Sequence, residues 1–248
     1  MPQRITVARH HYACVATPVY IMHNTSLLAM LQLADSFFPT GMFTQSHGLE
    51  AFVGAGAAGA AQIEPLLHTY LRQVVGPGDA LATRWVARAA TDDLDLVAAV
   101  DERLEATRLA KEGRLASRRC GGRLLLLGCD VFGGELLPRY AERVASGQAH
   151  GHQAVALALI AAANDLDEES AVLVELHSFS VSLVSAAVRM GALDHAAGQR
   201  LLLHAAPVMA EVAEQFADAD WQEIGGFAPW VDVMQFRHQH AQMHMFVS

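Results

Sequence analysis

Apolar residues recur at three- and four-residue intervals along most of this chain, and nowhere do they settle into the alternation of a half-buried strand. Leu27, Leu28, Leu31 and Ala34 open the pattern as an apolar helical face. Leu81, Trp85, Val86 and Ala89 form a second stripe, with Arg84 and Arg88 turned the other way. Val97, Val100, Leu104 and Thr107 repeat the spacing. Val172, Leu176, Phe179, Leu183, Ala187 and Met190 carry it along a longer helix, and Val208, Val212 and Phe216 come after. Such spacing places apolar groups on one side of a helix. Asp165 with Glu168 has the form of a capping box for a helix starting near Leu166. Gly76-Pro77-Gly78, Gly133-Gly134 and Gly225-Gly226 read as breaks. The expected fold is all-α, a single-domain helical bundle over residues 26–248. Residues 1–25 show no sustained period and are expected to be a flexible leader.

Composition removes several function classes. Of 248 residues 52% are hydrophobic and 17% charged, which is ample for a buried core and excludes disorder of the whole chain. The net charge is −9, from 17 basic and 26 acidic residues, with no basic stripe, so neither nucleic acid nor an anionic membrane is an expected partner. The single lysine, Lys111, lies between Ala110 and Glu112, which rules out a phosphate-binding P-loop. No secretory signal is visible, and the longest strongly apolar stretch, residues 154–163, is too short to span a bilayer. Cys14, Cys120 and Cys129 lack C-x-x-C spacing and fit buried thiols in a reducing cytoplasm. Gly54, Gly56 and Gly59 spell G-x-G-x-x-G, with Asp79 beyond. A dinucleotide site needs a strand feeding those glycines. Residues 46–53 read instead as a short helix, and Pro65 interrupts the segment after the glycines, so a small-residue linker is expected.

Residues 31–50 read as helix, sharp turn, helix. Pro39 stops the first helix, and Phe38-Pro39-Thr40-Gly41 fits a turn with proline second and glycine last. Gly41 and Gly48 mark a close backbone approach or a positive φ. Leu33, Ala34, Asp35, Ser36, Pro39, Gly41, Phe43, Ser46, Gly48, Leu49 and Glu50 together resemble the N-terminal signature of the urease accessory protein UreF family, approximately L-A-D-S-x-x-P-x-G-x-F-x-x-S-x-G-L-E. Glu112, Arg114, Ser117 and Gly121 resemble that family's E-x-R-x-x-S-x-x-x-G helix; this is also the one basic cluster, with glycines that admit a neighbouring helix. Residues 185–191, then Gly198, Gln199, Leu201 and Leu202, are similar to its S-A-A-V-R-L-G and G-Q-x-L-L. There Arg189 sits on an otherwise apolar helix and needs a partner or an interface. Ala228, Pro229, Asp232 and His238, then Phe246 and Ser248, resemble its ending, although His244 and Met245 stand where arginine and leucine are usual.

The resemblance implies an accessory protein of urease maturation with no catalytic residue and no cofactor of its own. It implies a homodimer that binds a UreD-type accessory protein and recruits a UreG-type GTPase to apo-urease for nickel insertion. Pro39, Gly41, Phe43, Ser46, Gly48, Glu50, Arg189, Pro229, Asp232, His238 and Phe246 are the partner-binding residues it suggests. The thirteen histidines invite a metal reading, since His240 and His244 form an i,i+4 pair and His150 with His152 and His238 with His240 are two apart. No cysteine or carboxylate joins them at ligand spacing, so surface or capping roles are expected and no metal site is assigned. The competing functions are a helical metal-dependent hydrolase using the C-terminal histidines and a helical adaptor unrelated to urease. Pro229, Trp230, Phe236, Met243, Met245 and Phe246 crowd bulky apolar groups into the tail, either to dock on a partner or to pack back on the chain's own helices.

Overall fold

The computed structural model describes residues 24–90, 93–241 and 245–247. Its helices are α1 (Asn24–Ala34), α2 (Leu49–Gly54), α3 (Ala60–Tyr70), α4 (Leu81–Ala89), α5 (Leu94–Thr107), α6 (Lys111–Val131), α7 (Leu136–Ala145), α8 (Gln153–Ala163), α9 (Glu168–Arg189), α10 (His195–Gln215) and α11 (Pro229–Gln239). No strand occurs among the described residues, and the fold is an all-α single-domain bundle. The leader expected over residues 1–25 lies outside the described residues except for Asn24 and Thr25, which open α1. Cys14 and His244 also lie outside them.

The bundle is built on α9. Its apolar stripe is buried from Val172 to Ala187, and α10, α4, α1 and α8 pack around it. By length and composition this helix could cross a membrane, yet 67% of its apolar window is buried against neighbouring helices. Its N-cap is Asp167, which accepts the Ser170 N–H at 2.6 Å, and not Asp165. Asp165 stands in the preceding turn at φ +55°, where its side chain cannot reach the first turn of the helix.

Two apolar clusters fill the interior. One joins α4, α5 and α8 to the inner sides of α6 and α7; the other joins α3, α9 and α10 to α2 and α11. A single rod serves both. It runs from α3 through a ten-residue π-helical stretch, Leu71–Ala80, into α4 without a break. Gly76-Pro77-Gly78 therefore does not interrupt the chain as expected, because neighbours enclose it: a Cβ on Gly76 would lie 2.6 Å from the Val212 side chain. Pro65 likewise sits inside α3, where its missing N–H removes one intrahelical bond.

Two other expectations are corrected by burial. Leu27, Leu28 and Leu31 are 40%, 65% and 55% exposed, while Ser26, Ala29 and Leu33 face the core, so the apolar stripe of α1 points outward. Arg84 does not turn to solvent. Surrounded by α5, α8 and α9, α4 has little free side, and Arg84 is buried with bonds to Glu168 at 3.0 Å and the Ala213 carbonyl at 2.9 Å. The G-x-G-x-x-G segment joins α2 to α3 with no strand before it.

The start of α8 is held by a buried carboxylate. Asp101 Oδ2 accepts the Tyr140 hydroxyl at 2.8 Å and the N–H groups of His150 and Gly151, and Oδ1 accepts the His152 N–H at 3.0 Å. Beside it, α6 presses against this turn at Gly121, where a Cβ would fall on the Gly151 carbonyl oxygen; Gly122, one residue on, faces open space. Gly121→Ala is therefore expected to lose at least about 2 kcal/mol through overpacking. Gly122→Ala should be neutral or gain up to about 1 kcal/mol from helix propensity. Urea denaturation of the two variants checks the contrast, and equal midpoints would contradict this packing.

Candidate functional site

Two segments far apart in sequence meet here: the loop between α1 and α2, and the tail after α11. The loop leaves α1 at Asp35, whose Oδ1 accepts the Phe37 N–H at 2.9 Å. The Thr40 N–H then reaches back to the Phe38 carbonyl at 2.7 Å. The reversal is thus a three-residue turn centred on Pro39, and not the four-residue turn its sequence suggests. Gly41 follows at φ +87°, and a 3-10 turn over Met42–Thr44 leaves Phe43 exposed. Gln45 and Ser46 are buried. The Ser182 hydroxyl of α9 donates to the Met42 carbonyl, so His47 Nε2, 3.0 Å away, donates to Ser182 Oγ. Burial, aided by the charge of Arg108, pulls His47 down to about 3 and keeps it neutral for this role. The Tyr70 hydroxyl donates to the His47 carbonyl. Gly48, at φ +82°, lies so close to α11 that a Cβ would stand 2.8 Å from Gln235 Cγ.

Glu50 then ties the tail down. Its Oε1 accepts the Met245 N–H at 2.9 Å, and its Oε2 accepts the Phe246 N–H at 3.2 Å and meets His238 Nε2 at 3.0 Å. The far side of that ring, Nδ1, is 2.9 Å from Glu112 Oε2 on α6. The Val247 N–H donates to the Thr44 carbonyl at 2.9 Å. Phe246 is buried, and Arg189 lies between two rings, its guanidinium carbon 3.8 Å from the Phe43 centroid and 4.4 Å from that of Phe246. The charge that needed a partner has two aromatic faces, and burial draws its pKa below the usual guanidinium range.

Behind this clasp is a cavity of about 130 Å³ whose lining includes Asp79, Arg108, Cys120, Glu175, Asp232 and His238. Arg108 pairs with Asp79. Glu175 accepts from Gln153 Nε2 at 3.0 Å; burial and then the charge of Asp79 push its carboxyl up to about 8. Burial also raises Asp232 and the Cys120 thiol, which makes that sulfur a poor nucleophile. The Ser117 hydroxyl on the cavity wall is 3.0 Å from His152 Nδ1, and His152 Nε2 is 3.0 Å from Glu105 Oε2; burial, then the charge of Arg108, lowers this buried histidine to about 2 and leaves it a weak base. Among the described residues no group of three metal-binding side chains is placed to hold an ion.

A family model for UreF matches residues 57–206. The chain is 34% identical over 228 residues to the urease accessory protein UreF of Paenarthrobacter aurescens, covering 92% of this chain and all of that protein. It is 32% identical to that of Lachnoclostridium phytofermentans, over 90% of this chain and 98% of that one. With that of Trichodesmium erythraeum it shares 30% identity, over 89% and 96%. The chain belongs to the UreF family.

In this UreF-family chain, seven of the residues singled out from sequence, Phe43, Ser46, Gly48, Glu50, Arg189, His238 and Phe246, lie in the loop, the tail and the helices they meet. Pro39 and Gly41 shape the loop. Asp232 lies apart on the cavity wall, and Pro229 is exposed at the first turn of α11. Glu112 stands out in the sequence only as part of a helix motif, and neither Glu175 nor Gln235 carries any local signal.

Glu175 has a higher pKa in the folded chain than its ordinary 4.5. Its neutral form stabilises the fold fully below about pH 4, and this contribution is lost as pH rises through about 8. Glu175→Gln keeps the shape without the proton and should flatten that loss. Denaturation midpoints at about pH 6 and pH 9 test this, and an equally steep fall in the variant would contradict it.

Proposed function

We propose that this chain is a non-catalytic scaffold of urease maturation. With a UreD-type partner it recruits a UreG-type GTPase to apo-urease, so that GTP hydrolysis is coupled to nickel insertion, and it works as a homodimer. The observation that carries this reading is the exposed apolar surface beside the clasp. Trp230, Val233 and Phe236 line the outer side of α11, Phe227 precedes them, and Met245 projects from the tail. Leu28, Leu31 and Phe37 add a second exposed apolar face on and after α1. Clustered exposed aromatic and methionine side chains favour protein partners, and Trp is among the residues that most often dominate binding energy. Phe246 packs inward, while Trp230, Phe236 and Met245 stay exposed, as docking on a partner requires.

Replacing Trp230 and Phe236 together by alanine removes exposed groups, so the melting temperature should change little. Association with the UreD-type partner should weaken at least about tenfold, and urease activation should fall with it. Titration of the purified partner checks the first and urease activity in cells carrying the operon the second; unchanged affinity would remove α11 from the interface. The isolated chain should neither bind nor turn over GTP, because Lys111 is an exposed residue opening α6 after Ala110, with no glycine loop before it. GTP turnover that persists through successive purification steps would reject the scaffold reading.

A further inference from the structure

The basic cluster of the sequence, residues 114–123, has a side that neither the bundle nor the cavity uses. On α6, Ala116, Cys120, Gly121, Leu124, Leu125 and Gly128 are buried against the other helices. Leu115, Arg119, Gly122 and Leu126 fall on the opposite side, at intervals of four, three and four residues. That is the spacing with which one helix seats another along a seam, knobs into holes. Leu115 is 44% exposed and Leu126 71%, so the bundle covers neither knob. Gly122 serves nothing in the packing of this chain: a Cβ there would meet nothing within 4 Å, whereas one on Gly121 would fall on the Gly151 carbonyl oxygen. Glycine weakens a helix interior. In the middle of an outward seam it lets a second backbone come close. None of these four residues belongs to the E-x-R-x-x-S-x-x-x-G pattern, whose Glu112, Ser117 and Gly121 turn toward the bundle.

Charge selects the occupant. Arg119 lies in the seam, and Arg118 and Arg123 are exposed along its two edges. Arg118 approaches Glu105 only to 3.8 Å, and among the described residues Arg119 and Arg123 form no ion pair. The whole chain carries a net charge of −9, so this is a basic strip on an acidic protein. A second copy of the chain would bring arginines against arginines across the seam. Residues 1–23 contain Arg4 and Arg9 and no aspartate or glutamate, so charge does not favour them either. Anionic lipid surfaces are recognised by clusters of about four to eight basic side chains, more than this strip provides.

We infer that the outer side of α6 docks an acidic amphipathic helix of another protein, its apolar side chains seated over Leu115, Gly122 and Leu126 and its carboxylates facing Arg118, Arg119 and Arg123. This adds an interface to the surfaces beside the clasp and does not depend on them.

The test titrates the full chain with two synthetic peptides of about 20 residues, a length that supports a helix once docked. Both carry leucine at the four-three-four spacing; one has glutamate at the flanking positions and the other lysine. The glutamate peptide should bind at least about tenfold more tightly than the lysine peptide. Raising salt from about 0.05 M to about 0.5 M should narrow that difference. Replacing Arg119 and Arg123 together by glutamate should reverse the preference, a result that damage to the fold cannot produce. Leu126→Ala removes an exposed group, so the melting temperature should hold while the glutamate peptide binds at least about fivefold more weakly. Binding of neither peptide, equal affinities, or a preference that survives the charge reversal overturns the inference. If phosphatidylserine vesicles then retain the wild type and not the double variant, the strip is a membrane contact instead. Because the probe is a peptide and not a maturation partner, its failure removes the seam and leaves the scaffold reading standing.

Discussion

The buried carboxylate of Asp101 is the constraint on which the layout of the bundle depends. It is fully enclosed, and it is tolerated there because three backbone N–H groups and the Tyr140 hydroxyl surround it. Those N–H groups belong to the turn that starts α8, a helix buried on every side from Gln153 to Ala161. Such a helix has no polar face to orient it. Asp101 supplies the missing reference by fixing where α8 begins, and Gly121 lets α6 close against the same turn. The Tyr140 hydroxyl is held protonated by burial and by the charge of Asp101, so this anchor keeps its donor across the working pH range.

The clasp between loop and tail works on a different principle. Nothing in residues 245–247 could hold them in place by burial except Phe246, and chain ends with little buried area tend to fray. Polar bonds make up the difference: two amides on Glu50, one on Thr44, and a guanidinium between two rings. Each is modest, but they are concentrated where α2, α6, α9 and α11 converge, and the rigid α9 supplies both Ser182 and Arg189 to the same loop. The surface beside this point is apolar and exposed, so a partner would meet an edge that is ordered before contact.

How much the sequence discloses depends on the range over which each signal acts. The stripe of α9 is legible because helical periodicity is local and the helix is central. The stripe of α1 is equally periodic, yet it faces outward, since periodicity shows that a face is apolar without showing what covers it. Arg84 reads as a surface charge because its acceptors, Glu168 and Ala213, lie 84 and 129 residues away. The same distance problem hides the heart of the site: His238 meets Glu112 across 126 residues and Glu50 across 188. Motif resemblance finds His238 and Glu50 singly, as members of a pattern. Only the fold shows that one holds the other. Gly76-Pro77-Gly78 misleads for the opposite reason, because its local preference for a break gives way to enclosure by α10.

That continuous rod has a mechanical corollary. A helix of constant pitch keeps one stripe toward one neighbour, but here Ile63, Leu67 and Tyr70 face one cluster while Leu81, Val86 and Ala89 face the other. The wider turns from Leu71 to Ala80 act as a phase shifter, re-aiming the stripe without interrupting the backbone. The two halves of the interior are consequently geared together. Adding or removing one residue in this stretch would turn α4 by about 100° relative to α3 and swing Arg84 away from Glu168. The length of the segment is thereby fixed by rotation, whatever side chains it carries.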